Sequence, residues 1–251
     1  MLPQIIFFIA FYIIGVVLGS FFTLATYRIP LKQDILYTRS YCPKCNNKLK
    51  AWDLIPILSY IFLRGKCRYC QEKINSRYII IEMFSGLFYL LFVISLKIDI
   101  LNIEIFKIIQ LIYGTLIISA FFIIGGIAKE TKLFSKGTIL FGLIVSVMYM
   151  IYLYIVQRNI YRYIIYFVII IMLFIINKKI KKDIYKKYLD IMILLLFSII
   201  TTNGIIFMDS TIFTLIIQLF LYFSKKERNI NWIFYFSFFN ILFLIIYNFI
   251  K

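Results

Sequence analysis

Residues 4–26 read QIIFFIAFYIIGVVLGSFFTLAT, a run without a single charged side chain. About 20 apolar residues in a helix suffice to cross a hydrocarbon core roughly 30 Å thick. Similar runs recur along the 251 residues, which are 63% hydrophobic with a mean hydropathy of +0.94. Soluble domains use far fewer apolar residues. The composition therefore excludes a soluble globular protein and predicts an all-α, polytopic membrane protein.

Eight membrane spans are predicted, near residues 4–26, 78–96, 103–124, 138–156, 160–176, 189–207, 211–223 and 231–250. Of the 28 Lys and Arg residues, 23 fall in four alternate segments, 27–77, 125–137, 177–188 and 224–230. Short loops rich in Lys and Arg stay in the cytoplasm. We therefore expect a multi-pass plasma membrane protein with these segments in the cytoplasm and both termini outside. The same bias accounts for the net charge of +17, so we expect no nucleic-acid partner.

The four cysteines of the chain all lie in the first cytoplasmic loop, in two C-x-x-C pairs with 21 residues between them: Cys42, Cys45, Cys67 and Cys70. Two such pairs supply the four thiolates of a tetrahedral zinc site. Disulfides would need an oxidising compartment, whereas the predicted topology puts this loop in the reducing cytoplasm. Two thioredoxin-like redox pairs are the alternative, although no βαβ pattern surrounds them. We expect a structural Zn²⁺ that closes a loop too short to fold alone.

Five motifs surround the cysteine pairs: Gly19-Ser20-Phe21-Phe22, Tyr27-Arg28-Ile29-Pro30, Asp53-Leu54-Ile55-Pro56-Ile57-Leu58-Ser59-Tyr60, Gly65-Lys66-Cys67-Arg68-Tyr69-Cys70, and Ser76-Arg77-Tyr78 followed by Glu82. Together, over residues 15–86, they resemble the type IV prepilin peptidase family. These are membrane leader peptidases and N-methyltransferases of pilus, type II secretion and competence systems. The resemblance implies a bacterial plasma membrane enzyme. Residues 1–86 would form its N-terminal domain, and residues 87–251 a degenerate version of its aspartic peptidase half.

The residues of these motifs also have structural interpretations. Gly19 would let two helices approach closely in lipid, and Tyr27 with Arg28 would form an interfacial anchor. Asp53 is either a helix N-cap or a functional residue. Glu82, one turn inside a span, either pairs with a nearby cation, Arg77 or Lys73, or belongs to a substrate or cofactor pocket. No internal repeat is evident in the chain.

The resemblance implies an aspartic mechanism in which two acids activate water to cut the basic leader of a prepilin or pseudopilin. One family aspartate corresponds to Asp190, although Lys187 and Leu189 stand where the family has glycines. The other is expected at position 127, which holds Ile127. Glu130 shares a helix face with that position and is the candidate partner. A solvated charge at Glu130 and a helix-terminal acid at Asp190 are the alternative interpretations.

Three functions remain open at this point. The first is a leader peptidase and N-methyltransferase with Asp190 and Glu130 as its acids. The second is a family member that keeps only methyl transfer from S-adenosylmethionine, a cofactor that the resemblance alone implies. The third is a non-enzymatic membrane scaffold for pilin assembly. A transporter is disfavoured because the spans hold too few acids for an ion path. In every case we expect a prepilin or pseudopilin and membrane lipid as partners.

Overall fold

The computed structural model describes residues 2–35, 37–131, 136–156, 160–179, 183–202, 204–223 and 231–250. These residues form helices joined by irregular loops and contain no β-strand beyond two isolated bridges. The predicted all-α class is confirmed. The chain divides into two compact units, residues 1–101 and residues 102–251. The division after residue 86, which the family resemblance suggests, stays a prediction.

The first unit is built on two long helices, α1 (Leu2–Arg28) and α3 (Arg77–Ser95), with the short helix α2 (Leu58–Phe62) in the loop between them. Glycines let α1 and α3 pack closely. A Cβ atom at Gly19 would lie 2.8 Å from the Cβ of Ser85, and one at Gly15 would lie 2.7 Å from the Cβ of Tyr89. Such distances are too short for any side chain, so the packing interpretation of Gly19 is confirmed.

The described residues of the second unit form six helices: α4 (Ile105–Thr131), α5 (Lys136–Ile155), α6 (Tyr161–Lys179), α7 (Asp183–Thr201), α8 (Gly204–Phe223) and α9 (Trp232–Ile250). Helix α4 packs against α5 and α9, α7 packs against α5 and α6, and α8 packs against α9. Buried polar side chains bond within this unit, as where the Ser198 hydroxyl donates to the Asn240 side-chain oxygen. Such internal partners are what a polar group needs where lipid replaces water.

Helices occupy all eight predicted spans. Among the described residues, five helices are long and apolar enough to cross a membrane, namely Leu2–Arg28, Arg77–Ser95, Ile105–Lys129, Gly204–Leu221 and Trp232–Ile250. Three further apolar helices are shorter, at Leu140–Ile155, Tyr161–Asn177 and Ile191–Thr201. The structure thus supports a membrane protein, while the number of eight spans stays a prediction.

The boundary between the sixth and seventh predicted spans differs from the structure. The sequence predicts one span over 189–207, but α7 ends at Thr201 and α8 begins at Gly204. The hydroxyls of Thr201 and Thr202 donate to the backbone oxygens of Phe197 and Ser198. Hydroxyls bonded to the preceding turn favour a bend, and glycine is a poor helix former. Because apolar residues lie on both sides of this break, hydropathy alone predicts one continuous span across it.

Candidate functional site

The loop between α1 and α3 brings the four cysteines into one group. Their Sγ atoms all lie within 4.8 Å of one another, and those of Cys42 and Cys70 are 3.9 Å apart. Four sulfurs around a tetrahedral zinc ion, each about 2.3 Å from the metal, would be about 3.8 Å apart. All four are free thiols. Cys42, Cys45, Cys67 and Cys70 can therefore hold a metal ion, and their geometry is compatible with zinc.

The two cysteine pairs lie on two backbone turns of the same kind. In both turns the N–H of the first cysteine donates to the carbonyl five residues ahead, and its own carbonyl accepts from the N–H four residues ahead. The donor–acceptor distances are 3.0 and 2.8 Å for Cys42 with Asn47 and Asn46, and 2.8 and 3.0 Å for Cys67 with Glu72 and Gln71. The loop thus contains two copies of one turn, a repeat that the sequence analysis missed. Its sequence signal is the shared pattern R-x-x-C-x-x-C-x-x-K, which begins at Arg39 and again at Arg64.

Protons and a metal ion would compete for the sulfurs of this group. A hydrogen bond from the backbone of Asn47 lowers the pKa of the Cys45 thiol. The backbone of Glu72 lowers the pKa of Cys70 in the same way, but burial and the other three sulfurs together outweigh it and raise that pKa to about 12. A divalent cation that binds this group would displace the remaining thiol protons.

Asp53 connects the segment between the two turns to the second cysteine pair. Its carboxylate accepts a hydrogen bond of 2.7 Å from Nε of Arg68, which lies between Cys67 and Cys70, and its side chain is only 2% exposed. The other oxygen accepts from the backbone N–H of Lys50 at 3.1 Å, at the start of the 3-10 helix Ala51–Leu54. Both interactions are structural, but they correct the prediction that Asp53 is a helix N-cap: Lys50 is the N-cap, and Asp53, the third residue of the helix, accepts from its backbone N–H.

Glu82 holds a strained turn of the loop against α3. Its carboxylate is buried, accepts from the backbone N–H of Ile57 at 2.7 Å, and also bonds the hydroxyl of Ser20. Ile57 has a φ of 62°, which is rare for a β-branched residue, and the N–H of Leu58 donates to the carbonyl of Pro56 at 2.6 Å across this γ-turn. These partners replace the cations, Arg77 or Lys73, that the sequence suggested.

Replacing Glu82 by alanine is expected to release this turn. Removal of one partner from a buried hydrogen bond costs about 1–3 kcal/mol, so Glu82→Ala should lower the thermal unfolding midpoint of the purified protein and expose residues 51–63 to protease. Glu82→Gln keeps an oxygen acceptor, so its unfolding midpoint and protease resistance should fall clearly less. Equal losses in the two variants would show that the carboxylate acts through its charge and not as an acceptor for Ile57.

Arg28 is buried, which corrects its interpretation as an interfacial anchor. Its guanidinium donates to the carbonyl oxygens of Asp34, Thr38 and Arg39 at 2.9, 2.8 and 3.3 Å, and it lies over the ring of Tyr41. Five N–H donors in a fixed plane suit such a set of carbonyls. Arg28 therefore shapes the segment that leads into the first cysteine pair.

The proposed catalytic acids lie on two helices of the second unit. The side chains of Glu130 and Asp190 lie outside the described residues, but their places on α4 and α7 are described. Position 127, where the family resemblance implies an aspartate, holds an isoleucine that is 2% exposed. The end of α4 is fastened to α9, because Asn231 donates its side-chain N–H to the carbonyl of Ala128 and Lys129 lies 5.0 Å from the ring centroid of Phe234.

The direction of the helices places the two acidic positions at the same end of the second unit. On α5 and α7, Gly142 adjoins Phe197, and Tyr149 donates to the carbonyl of Thr202, so these helices run parallel. Helix α4 precedes α5 in the chain and packs against it, with Tyr113 beside both Tyr149 and Tyr152. Phe121 of α4 and Gly142 of α5 both adjoin Phe197, so α4 runs antiparallel to α5 and therefore to α7 as well.

Phe121 of α4 contacts Phe197 of α7, with ring centroids 5.2 Å apart. From this contact, Glu130 lies nine residues further along α4 and Asp190 lies seven residues back along α7. At 1.5 Å per residue, these separations are about 13 and 10 Å along the helix axes. Because the helices are antiparallel, both positions lie at nearly the same level.

Comparison with known proteins supports the resemblance seen in the sequence. Residues 13–96 match the family model for the "Bacterial Peptidase A24 N-terminal domain". A "Prepilin leader peptidase/N-methyltransferase" of Vibrio cholerae is 43% identical over 88 residues, which cover 32% of this chain and 35% of that protein. The protein of the same name from Bacillus subtilis is 46% identical over 67 residues, with 27% of each chain covered.

A third protein with this name, from Myxococcus xanthus, is 37% identical over 84 residues, which cover 34% of this chain and 25% of that protein. The match thus spans about a third or less of the length of these curated relatives. No solved structure matches the chain. The resemblance to type IV prepilin peptidases is confirmed for the part of the chain that carries the four cysteines.

Proposed function

Because residues 13–96 match the N-terminal domain of bacterial A24 peptidases, we propose that this chain is a prepilin-processing enzyme of the bacterial plasma membrane. It removes the basic leader of a prepilin or pseudopilin at the cytoplasmic face, in a pilus, type II secretion or competence system. The cysteine loop lies in the cytoplasm and both termini lie outside. The observation that carries this proposal is the similarity of these residues to proteins named prepilin leader peptidase/N-methyltransferase.

The metal in this proposal is a structural zinc ion, held by Cys42, Cys45, Cys67 and Cys70. Four thiolates would fill its coordination shell, so it supplies a cross-link between the two turns and takes no part in bond breaking. The loop from Ile29 to Ser76 has few buried apolar side chains of its own: among the large apolar and cysteine residues that the structure describes there, only Cys42 and Cys67 are buried. A metal ion is therefore the main source of its stability.

Asp190 and Glu130 are the proposed pair of acids. One carboxylate accepts a proton from water, the resulting hydroxide attacks the scissile carbonyl carbon, and the other carboxyl group donates its proton to the carbonyl oxygen. On collapse, the first group gives its proton to the departing amine nitrogen and the second regains a proton from the diol, so the leader leaves as a carboxylic acid and the pilin keeps a free amine. Two neighbouring carboxyl groups readily divide these tasks, because the charge of one raises the pKa of the other. The common level of the two positions on antiparallel helices supports this pairing.

A second candidate is favoured by the buried Ile127 at the place of the family's aspartate. A chain without a working pair of acids could retain methyl transfer, in which S-adenosylmethionine gives its methyl group to the pilin's amine with release of S-adenosylhomocysteine and a proton. A non-enzymatic scaffold for pilin assembly would retain neither reaction.

One experiment separates these functions. The purified full-length protein is incubated in detergent with a prepilin and S-adenosylmethionine, and the intact mass of the pilin is followed. Loss of the leader supports the peptidase, and a further gain of one methyl group supports the full enzyme. A methylated product from precleaved pilin, without cleavage of prepilin, indicates the methyltransferase alone. An unchanged pilin that co-purifies with the protein indicates the scaffold and contradicts the proposed enzyme.

A further inference from the structure

The segment between the two cysteine pairs exposes a row of large apolar side chains. Trp52 is 72% exposed and Phe62 is 80% exposed, and between them Leu54, Ile55, Leu58 and Ile61 are exposed as well. We call these six residues the apolar ridge. Five of them belong to the 3-10 helix Ala51–Leu54 and to α2, Ile55 lies between these two helices, and all six lie outside the membrane spans. Six large, exposed apolar side chains so close together in the chain indicate a surface that is covered in the working protein.

The ridge is held at the depth of the second turn of α3. The backbone N–H of Ile57, in the middle of the ridge segment, donates to the carboxylate of Glu82. Glu82 lies five residues after Arg77, where α3 begins, and therefore about 7 Å along the helix axis. The headgroup layers of a bilayer are together about 10–15 Å thick. A turn bound at this depth lies within or next to the headgroup layer when α3 spans the membrane.

The neighbouring ends of α1 and α3 also expose apolar side chains. Tyr27 is exposed near the end of α1, and Ile80, Met83 and Phe84 are exposed in the first two turns of α3. These residues face lipid if the two helices span the membrane. The bond from Ile57 to Glu82 holds the ridge segment beside this end of α3, so the same bilayer is available to cover the ridge.

The charges around the ridge favour lipid over the leader of a prepilin. Lys50 and Arg64 flank the ridge and are exposed. The loop 27–77 holds 11 Lys and Arg but three acids, one of which, Asp53, is buried in its ion pair. A basic leader would be repelled by this surface, whereas anionic headgroups attract it by about 1 kcal/mol for each Lys or Arg. Tryptophan is itself enriched at the membrane interface.

We propose that residues 51–63 form an interfacial segment that lies in the cytoplasmic leaflet. In this arrangement the apolar ridge contacts the acyl chains, and Lys50 and Arg64 contact anionic headgroups. Glu82 anchors the segment to α3, and Asp53 connects it to the second cysteine pair. The metal group would thereby be held close to the membrane surface. This inference rests on the proposed membrane topology, but not on peptidase activity.

Tryptophan fluorescence tests this placement, since Trp52 and Trp232 are the only tryptophans in the chain. In Trp232→Phe, Trp52 reports alone from full-length protein in vesicles of phosphatidylcholine and phosphatidylglycerol. Two reference variants use a tryptophan-free chain, Trp52→Phe with Trp232→Phe. Leu87→Trp, at an exposed position of α3, reports on the membrane core, and Lys44→Trp, at an exposed position of the first cysteine pair, reports on the aqueous loop.

We expect lipids brominated near the headgroup to quench Trp52 several-fold more than they quench Lys44→Trp, while aqueous iodide shows the reverse order. Lipids brominated deep in the acyl chain should quench Leu87→Trp most. Equal lipid quenching of Trp52 and Lys44→Trp would overturn the proposal. So would a Trp52 that iodide reaches freely until a prepilin is added, because the ridge would then bind substrate. Failure of Leu87→Trp to respond to any brominated lipid would overturn the membrane topology, and the proposal with it.

Discussion

Replacing Asp190 by asparagine is expected to abolish prepilin cleavage. Asparagine has nearly the same size, but it can neither take a proton from water nor carry the charge that divides the roles of the two acids. Loss of one general acid or base lowers a rate by about 10²–10⁴-fold. Asp190→Asn should therefore show this loss in the initial rate of leader removal, measured by mass spectrometry with purified protein.

The controls for this prediction are other acids of the chain. Asp183→Asn changes the first residue of α7, two helical turns before Asp190, and should leave the cleavage rate within about twofold of the original. Glu130→Gln should lose as much activity as Asp190→Asn, and the double variant should lose little more, because the two groups act as one unit. A wild-type rate in Asp190→Asn would remove this residue from the mechanism, and full activity in Glu130→Gln would leave Asp190 with a different partner.

Removal of one metal ligand is expected to unfold the cysteine loop. In Cys42→Ser the group loses a buried thiolate, and structural zinc contributes about 10–16 kcal/mol in small zinc-binding peptides. We expect loss of bound zinc and rapid proteolysis within residues 29–76. Both effects should also follow when a strong chelator is added to the original protein. Metal analysis and limited proteolysis measure them.

Lys44→Ser is the matched control for this experiment. It changes a side chain of the same turn that lies between two ligands but offers no sulfur. Metal content and protease resistance should stay close to those of the original protein. Unaltered metal content in Cys42→Ser would refute the site, whereas equal loss in both variants would indicate that the turn is fragile for reasons other than ligation.

The features that the sequence predicted well are those that depend on neighbouring residues. Apolar runs predict where the long helices lie, because lipid selects length and hydropathy directly. The C-x-x-C spacing predicts the metal group because each pair, on one short turn, already supplies two of the four ligands of a tetrahedral site. The sequence does not predict the break between Thr201 and Gly204, because apolar residues lie on both sides of it and hydropathy does not depend on backbone hydrogen bonds.

The partners of buried polar side chains could not be predicted in the same way. Glu82 bonds the backbone of Ile57, 25 residues away, and Asp53 bonds Arg68, 15 residues away. Both contacts depend on how the loop folds back, which residue types alone do not determine. A backbone N–H also leaves no signal in the sequence, so the sequence favours a cation as the partner of Glu82. Arg28 was misread for the same reason, because its acceptors are three carbonyls.

Zinc content and coordination, measured on the purified full-length protein, test most directly whether the two cysteine turns close on one metal ion. We predict one zinc per chain with X-ray absorption showing four sulfur neighbours at about 2.3 Å, and the loss of this signal in Cys42→Ser. Protein that is fully active in prepilin cleavage without zinc, or whose cysteines form disulfides, would contradict the metal-stapled loop.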